Sequence, residues 1–90
     1  MPALEFGSYL RERREAKASR DFSLRRVAGR IGIEPSYLSK IERGEEPPPG
    51  EETIRKLADD LDEDADALLA LAGKVSGDLL DIIRARPGVI

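Results

Sequence analysis

Apolar residues recur along this chain at intervals of three and four positions, which is the spacing of one buried face of an α-helix. Phe6, Tyr9 and Leu10 show this spacing near the N-terminus, and Ile54 and Leu57 show it in the second half. The predicted helices span about 4–18, 24–31, 35–43, 51–61 and 65–72, and a last amphipathic segment follows Gly73 and extends to Arg86. No stretch alternates apolar and polar residues as a half-buried strand does, so the pattern predicts an all-α fold.

The predicted second and third helices have clear signals at their ends. Ser23 can cap the N-terminus of the second helix, and Gly32 can end it in the left-handed conformation. Pro35 suits the first turn of the third helix, where its missing N–H costs no hydrogen bond, and Gly44 stops that helix. These two helices are therefore expected to be short and to be joined by a tight turn.

The composition is that of one small domain with a narrow chemical repertoire. The 90 residues are 40% hydrophobic and include neither Cys nor His. The usual zinc ligands and the commonest general base are therefore missing, so we expect no enzymatic activity, cofactor or metal. No apolar run is long enough to span a membrane, and the N-terminal residues lack the pattern of a secretory signal. A cytoplasmic protein with no membrane partner is expected.

Charge is distributed unevenly along the chain, although the net charge is only −3. Residues 1–44 contain ten Lys and Arg residues and six Asp and Glu residues, a balance of +4. Residues 45–90 contain five basic and twelve acidic residues, a balance of −7. This asymmetry suggests a basic surface that binds a polyanion in a fixed orientation.

The second and third helices satisfy the positional demands of a helix-turn-helix motif counted from Leu24 as position one. Ala28 is the small residue required at position 5, where the helices cross closely, and Gly32 is the turn residue at position 9. The inward positions 4, 8, 10, 15 and 18 are Val27, Ile31, Ile33, Leu38 and Ile41. All seven positions are therefore of the required type.

The segment SLRRVAGRIGIEPSYLSKIERG, followed by TIRKLADDLDEDADALLALAG, resembles the phage-repressor/Cro-type helix-turn-helix family of xenobiotic-response-element-like bacterial transcription regulators. The resemblance covers about residues 6–73 and includes the characteristic ending YLSKIERG. It implies a five-helix, lambda-repressor-like DNA-binding domain over residues 1–73, with a short helical extension over 74–90. It also implies a homodimeric regulator, of the repressor or autoregulator type, that reads a pseudo-palindromic operator with its third helix in the major groove of double-stranded DNA.

The same resemblance assigns roles to individual residues. Pro35, Ser36 and Lys40 are expected to read base edges, and Lys40 has the chemistry to donate hydrogen bonds to guanine. The residues expected at phosphates, with a solvated face or scaffold packing as the alternative, are Arg20, Arg25, Arg26, Arg30, Tyr37, Ser39 and Arg43. Arg14 and Glu42 occupy the positions of a structural ion pair.

Leu24 departs from the family pattern, in which a Gln at the first residue of the second helix often braces a phosphate. Arg25 or Arg26 can replace that interaction, or the docking angle on DNA can differ. The departure favours an alternative function, an adaptor or antitoxin-like partner protein that keeps the fold with weak or no DNA reading. Family analogy also implies two possible regulatory partners, a toxin or a metallopeptidase.

The acidic run over residues 59–66 raises the alternative of a calcium loop. Aligning Asp60, Asp62 and Asp64 with the first three ligands puts Ala65 where Gly is needed and Leu71 where a bidentate Glu belongs. The run is therefore interpreted as a capped, solvated helix junction, and no metal is predicted there.

The C-terminal segment contains four large apolar residues close together, and these are the candidates for dimerisation: Leu79, Leu80, Ile82 and Ile83. Such a segment can fold back to complete the core of its own subunit or pair across a twofold axis. The sequence leaves both arrangements open.

Overall fold

The computed structural model of the protein describes residues 2–74, and all regular elements in this range are helical. Five α-helices follow one another as α1 (Pro2–Glu15), α2 (Leu24–Ile31), α3 (Pro35–Glu42), α4 (Glu51–Leu61) and α5 (Ala65–Leu71). A short 3₁₀ turn, Arg20–Phe22, lies between α1 and α2. The all-α fold class is confirmed, and the bounds of α2 and α4 agree with the sequence pattern.

The link between α1 and α2 is where the sequence prediction was wrong. The first helix was expected to extend over 4–18, but it ends at Glu15, and Ala18 adopts a left-handed backbone conformation with φ of 50°. Ala18 gives no sequence signal for this, because its Cβ makes that conformation unfavourable. Ser19 then accepts a hydrogen bond from the backbone N–H of Asp21 (3.2 Å) and starts the 3₁₀ turn.

One apolar core joins the five helices. Its buried members are Phe6, Leu10, Val27, Ala28, Ile31, Leu38, Ile41, Ile54, Leu57, Ala58, Leu61, Leu68, Leu69 and Ala72. Four of the five inward motif positions and the small residue Ala28 are buried, while Ile33 in the turn is half-buried against the core. Tyr9, predicted on the apolar face of the first helix, is instead exposed, and its hydroxyl donates to Glu63.

Helix α1 crosses the C-terminal end of α3 closely at Gly7. This glycine is buried, and a Cβ built on it would lie 2.7 Å from the carbonyl oxygen of Glu42 and closer still to that of Ile41. Real Cβ atoms essentially never approach other atoms this closely. The absence of a side chain at Gly7 therefore sets how near α1 can come to α3.

Candidate nucleic-acid interface

Helix α3 has one face in the core and one face in solvent. Leu38, Ile41 and Glu42 are buried on the inner face. The outer face carries four polar residues at the helical spacing i, i+3, i+4 and i+7, which are Ser36, Ser39, Lys40 and Arg43. Ser39 is half-buried and the other three are exposed. We call these four residues the α3 outer face; they form a continuous stripe of hydrogen-bond donors with two positive charges.

The connection before α3 fixes the orientation of this face. Gly32 ends α2 with φ of 80°, a left-handed conformation that glycine adopts without a steric penalty. The backbone N–H groups of Gly32 and Ile33 both donate to the carbonyl oxygen of Ala28, at 2.9 and 3.0 Å. Pro35 then opens α3 and is half-buried. The turn between the two helices is therefore short and fully hydrogen-bonded at its start.

A buried ion pair holds the other end of α3 against α1. Arg14 donates to both carboxylate oxygens of Glu42, with Nε–Oε2 at 2.7 Å and Nη2–Oε1 at 2.9 Å. The two side chains are only 11% and 3% exposed. Arg14 also donates to the carbonyl oxygen of Phe22 at 3.2 Å, so one guanidinium joins α1, the 3₁₀ turn and α3. Hydrogen bonding to Glu42 raises the pKa of Arg14, which stays charged.

The other cations predicted to contact DNA differ in whether their side chains already form an ion pair within the domain. Lys40, Arg20 and Arg25 are exposed and have no side-chain partner among the residues that the structure describes. Arg26 lies 3.4 Å from Asp21, and Arg43 lies 3.1 Å from Glu45, in pairs whose side chains are all more than half exposed. Solvent-exposed pairs of this kind contribute little and exchange readily. All five cations are therefore accessible to an anionic partner.

The family comparison decides what kind of domain carries this face. Residues 5–72, most of the chain, match the family model described as "Helix-turn-helix domain". The chain belongs to the helix-turn-helix family. No curated protein and no solved structure compared with the chain matches it. In helix-turn-helix domains the second helix of the motif lies in the major groove of DNA, and here that helix is α3.

Among the predicted phosphate ligands of the helix-turn-helix domain, Arg30 is the one that forms a bidentate ion pair with a carboxylate. Its Nε and Nη2 atoms donate to the two carboxylate oxygens of Asp60, at 2.6 and 2.9 Å, and its guanidinium lies 5.1 Å from the centre of the Phe22 ring. The hydrogen bond to Asp60 raises the pKa of Arg30. The side chain therefore ties α2 to α4, and a phosphate would have to displace a bidentate carboxylate to reach it.

Tyr37 is half-buried and packs against the core, which is the scaffold alternative for this side chain. Ser39 is half-buried too, and its carbonyl oxygen accepts a hydrogen bond from Nε of Arg43 (3.3 Å).

The dimerisation candidates Leu79, Leu80, Ile82 and Ile83 lie outside the described residues.

The acidic run of the helix-turn-helix domain has interactions that the sequence did not reveal. Glu63 accepts hydrogen bonds from the Tyr9 hydroxyl (3.1 Å) and from Nε of Arg13 (2.9 Å), so the junction of α4 and α5 is tied to α1. The bond to Glu63 also raises the pKa of Tyr9. Asp64 caps α5, as predicted, by accepting from the N–H of Asp66 at 2.9 Å. Three of the six carboxylates in the run, those of Asp60, Glu63 and Asp64, therefore accept hydrogen bonds from groups inside the domain.

Metal-binding groups and membrane-spanning helices are both absent from the described residues. In residues 2–74 there is no group of three acidic side chains close enough to hold a metal ion. Over the same residues, none of the helices combines the length and the apolar character needed to cross a bilayer.

Proposed function

We propose that the protein is a sequence-specific DNA-binding transcription regulator of the repressor or autoregulator type, which reads a pseudo-palindromic operator as a homodimer. The observation that carries the proposal is the α3 outer face, a polar and cationic stripe on a helix whose opposite face is fixed in the core of a helix-turn-helix domain. Placed in the major groove, this stripe faces base edges along its length.

Lys40 is the main base reader in this proposal. It lies in the middle of the α3 outer face, is exposed and has no side-chain partner among the described residues. An ammonium group there can donate to the O6 and N7 atoms of guanine, while Ser36 can pair with several bases and Pro35 offers apolar contact only. With so few reading groups, part of the specificity is expected to come from DNA shape.

Arg20 and Arg25 are the strongest phosphate candidates because neither has to leave a partner in order to bind. Arg25 lies on the first turn of α2, directly after Leu24, and Arg20 lies in the 3₁₀ turn before it. Phosphate contacts of this kind hold a domain in register on the duplex without reading sequence. They also make binding depend strongly on salt.

Replacing Lys40 with alanine is expected to weaken binding to the operator by about 1–3 kcal/mol and to relax the preference at one base pair of each half-site. Titrations of operator and random DNA at one salt concentration measure both effects. Lys56→Ala, an exposed lysine on α4, is the matched control and should leave the specificity unchanged. Equal losses on operator and random DNA would show that Lys40 binds phosphate and not a base.

Replacing Arg25 with alanine is expected to weaken binding to all DNA sequences alike. The slope of log K against log salt concentration should become shallower by about 0.9 for each phosphate that the arginine neutralises in the wild type. Binding isotherms at several salt concentrations measure this slope for the wild type and the variant. A slope that does not change would exclude phosphate binding by Arg25.

The alternative is a protein adaptor of the same fold, and Leu24 at the start of α2 favours it because this side chain cannot bind a phosphate. The acidic second half favours it less, since Asp60, Glu63 and Asp64 have partners inside the domain. The two functions separate in one experiment. Absence of any mobility shift on the upstream promoter DNA at low salt and high micromolar protein would rule out DNA reading and leave the adaptor. A toxin or metallopeptidase partner stays a prediction.

A further inference from the structure

A groove beside the α3 outer face brings together side chains from three helices. We call it the Arg11 groove; it is lined by Arg11 and Arg14 of α1, Leu24 of α2, Ser39 and Glu42 of α3, and Arg43 directly after α3. Ser39 and Arg43 belong both to this groove and to the α3 outer face. An extended polyanion running alongside that face would therefore pass the mouth of the groove.

The lining of the groove has a net positive charge. The one carboxylate in it, Glu42, is neutralised by its bidentate pair with Arg14. The guanidinium groups of Arg11 and Arg43 remain, and their side chains are 56% and 51% exposed. Each has one exposed ion pair, Arg11 with Glu15 at 3.3 Å and Arg43 with Glu45 at 3.1 Å, and Nε of Arg43 also donates to the carbonyl oxygen of Ser39. Pairs so exposed are screened by water and salt and give way to a better anion.

The side chain of Leu24 cannot hydrogen-bond to an anion in the groove. Anion binding there therefore depends on the guanidinium groups of Arg11 and Arg43. Guanidinium groups suit a phosphate because their planar forks donate two parallel hydrogen bonds to its oxygens. Arg11 lies on α1 and Arg43 directly after α3, so two guanidinium groups from different parts of the chain line the same groove.

We propose that Arg11 and Arg43 together bind one phosphate of the DNA backbone next to the bases that α3 reads. This inference rests on the proposed DNA-binding function and adds to it an interaction from α1. Arg11 is a positioning residue: by binding a phosphate it sets the register of α3 in the major groove of the DNA, and it reads no base. A sequence signal exists, because Arg11 lies three positions before Arg14 and hence on the same side of α1.

The test compares three variants by the salt dependence of binding to operator DNA: Arg11→Gln, Arg43→Gln and the double variant. Each single variant is expected to weaken binding and to make the slope of log K against log salt shallower by at most about 0.9 per bound subunit, because the remaining arginine still lies beside the phosphate. The double variant loses both ligands of that phosphate and is expected to make the slope shallower by about 0.9 per bound subunit in total, the value for one phosphate.

Arg13→Gln is the matched control, since it removes the same charge from the same helix. Arg13 is bound to Glu63 at the junction of α4 and α5 and does not line the groove. Its slope should equal that of the wild type, and thermal unfolding should show that Arg11→Gln is as stable as the wild type. Because the Arg11 side chain is exposed, its replacement should change DNA binding without changing the fold.

The outcomes distinguish this inference from the function on which it rests. If the wild type binds DNA with a steep salt slope and Arg11→Gln changes neither the affinity nor that slope, phosphate binding by Arg11 is excluded and the proposed function stands. If the double variant makes the slope shallower by about 1.8 per bound subunit, the value for two phosphates, the two arginines bind separate phosphates and the shared site is excluded. If the wild type shows no salt-dependent DNA binding, both fail together.

Discussion

Replacing Glu42 with alanine is expected to lower the free energy of unfolding by about 3–5 kcal/mol, the range for removing one partner of a buried ion pair. The variant leaves the Arg14 guanidinium charged, only 11% exposed and without the carboxylate that accepts two of its hydrogen bonds. A domain of this size has few kcal/mol to lose, so the variant should be largely unfolded at 37 °C. Urea denaturation followed by circular dichroism measures the change.

The double variant Arg14→Met/Glu42→Leu separates the cost of an unpaired charge from the value of the pair itself. With both charges removed, the site is apolar, and such replacements are often neutral or stabilising. The carbonyl oxygen of Phe22 loses one donor, so we expect the double variant to be less stable than the wild type but more stable than Glu42→Ala. A double variant as unstable as Glu42→Ala would contradict the role given to the unpaired charge.

Replacing Gly7 with alanine is expected to destabilise the domain by about 3 kcal/mol, at the upper end of the usual cost of overpacking. The new methyl group meets the carbonyl oxygens of Ile41 and Glu42, which are backbone atoms and cannot rotate away as a side chain can. Helix α1 must therefore move away from α3, and the Arg14–Glu42 pair lengthens with it. Thermal and urea unfolding both report the loss of stability.

Gly29 provides the control for this substitution. It lies within α2, is exposed, and a Cβ added to it would meet no atom within 4 Å. Gly29→Ala should therefore stabilise the domain by about 0.5–1 kcal/mol, through the lower flexibility of alanine in the unfolded chain. If the two substitutions had the same effect, the close approach of α1 and α3 at Gly7 would not limit the packing.

The helices that lie against the core were predictable because their apolar residues repeat with the helical period. Val27, Ile31, Leu38 and Ile41 follow that period, and Ser23 and Gly32 mark the ends of α2 as the sequence indicated. The end of α1 was not predictable, because alanine is not a turn residue. Ala18 adopts its left-handed conformation in the context of the tertiary packing, which the local sequence does not encode.

The ion pairs between distant parts of the chain were less accessible to sequence reasoning. Arg30 pairs with Asp60 across 30 positions, and Arg13 pairs with Glu63 across 50. No local pattern selects one carboxylate from a run of acidic residues, since the choice depends on how the helices cross. The sequence therefore predicted only a solvated junction for the acidic run. In the structure, two of its carboxylates accept hydrogen bonds from arginines of α1 and α2.

These pairs also explain how an acidic chain can carry a basic surface. Asp60 and Glu63 compensate Arg30 and Arg13, whereas Lys40, Arg20 and Arg25 are left without side-chain partners among residues 2–74. These three unpaired cations therefore lie on α3, at the start of α2 and in the 3₁₀ turn before it. The net charge of the whole chain does not describe that surface.

Selection of bound fragments from the genomic DNA that encodes the chain tests the central claim most directly. If α3 reads DNA in a homodimer, the retained fragments should share two related half-sites with centres about 10 bp apart, or a multiple of that distance. Fragments selected with Lys40→Ala should lose the preference at one base pair of each half-site. Retained fragments with no common sequence, bound no better than random DNA, would contradict sequence-specific reading by this domain.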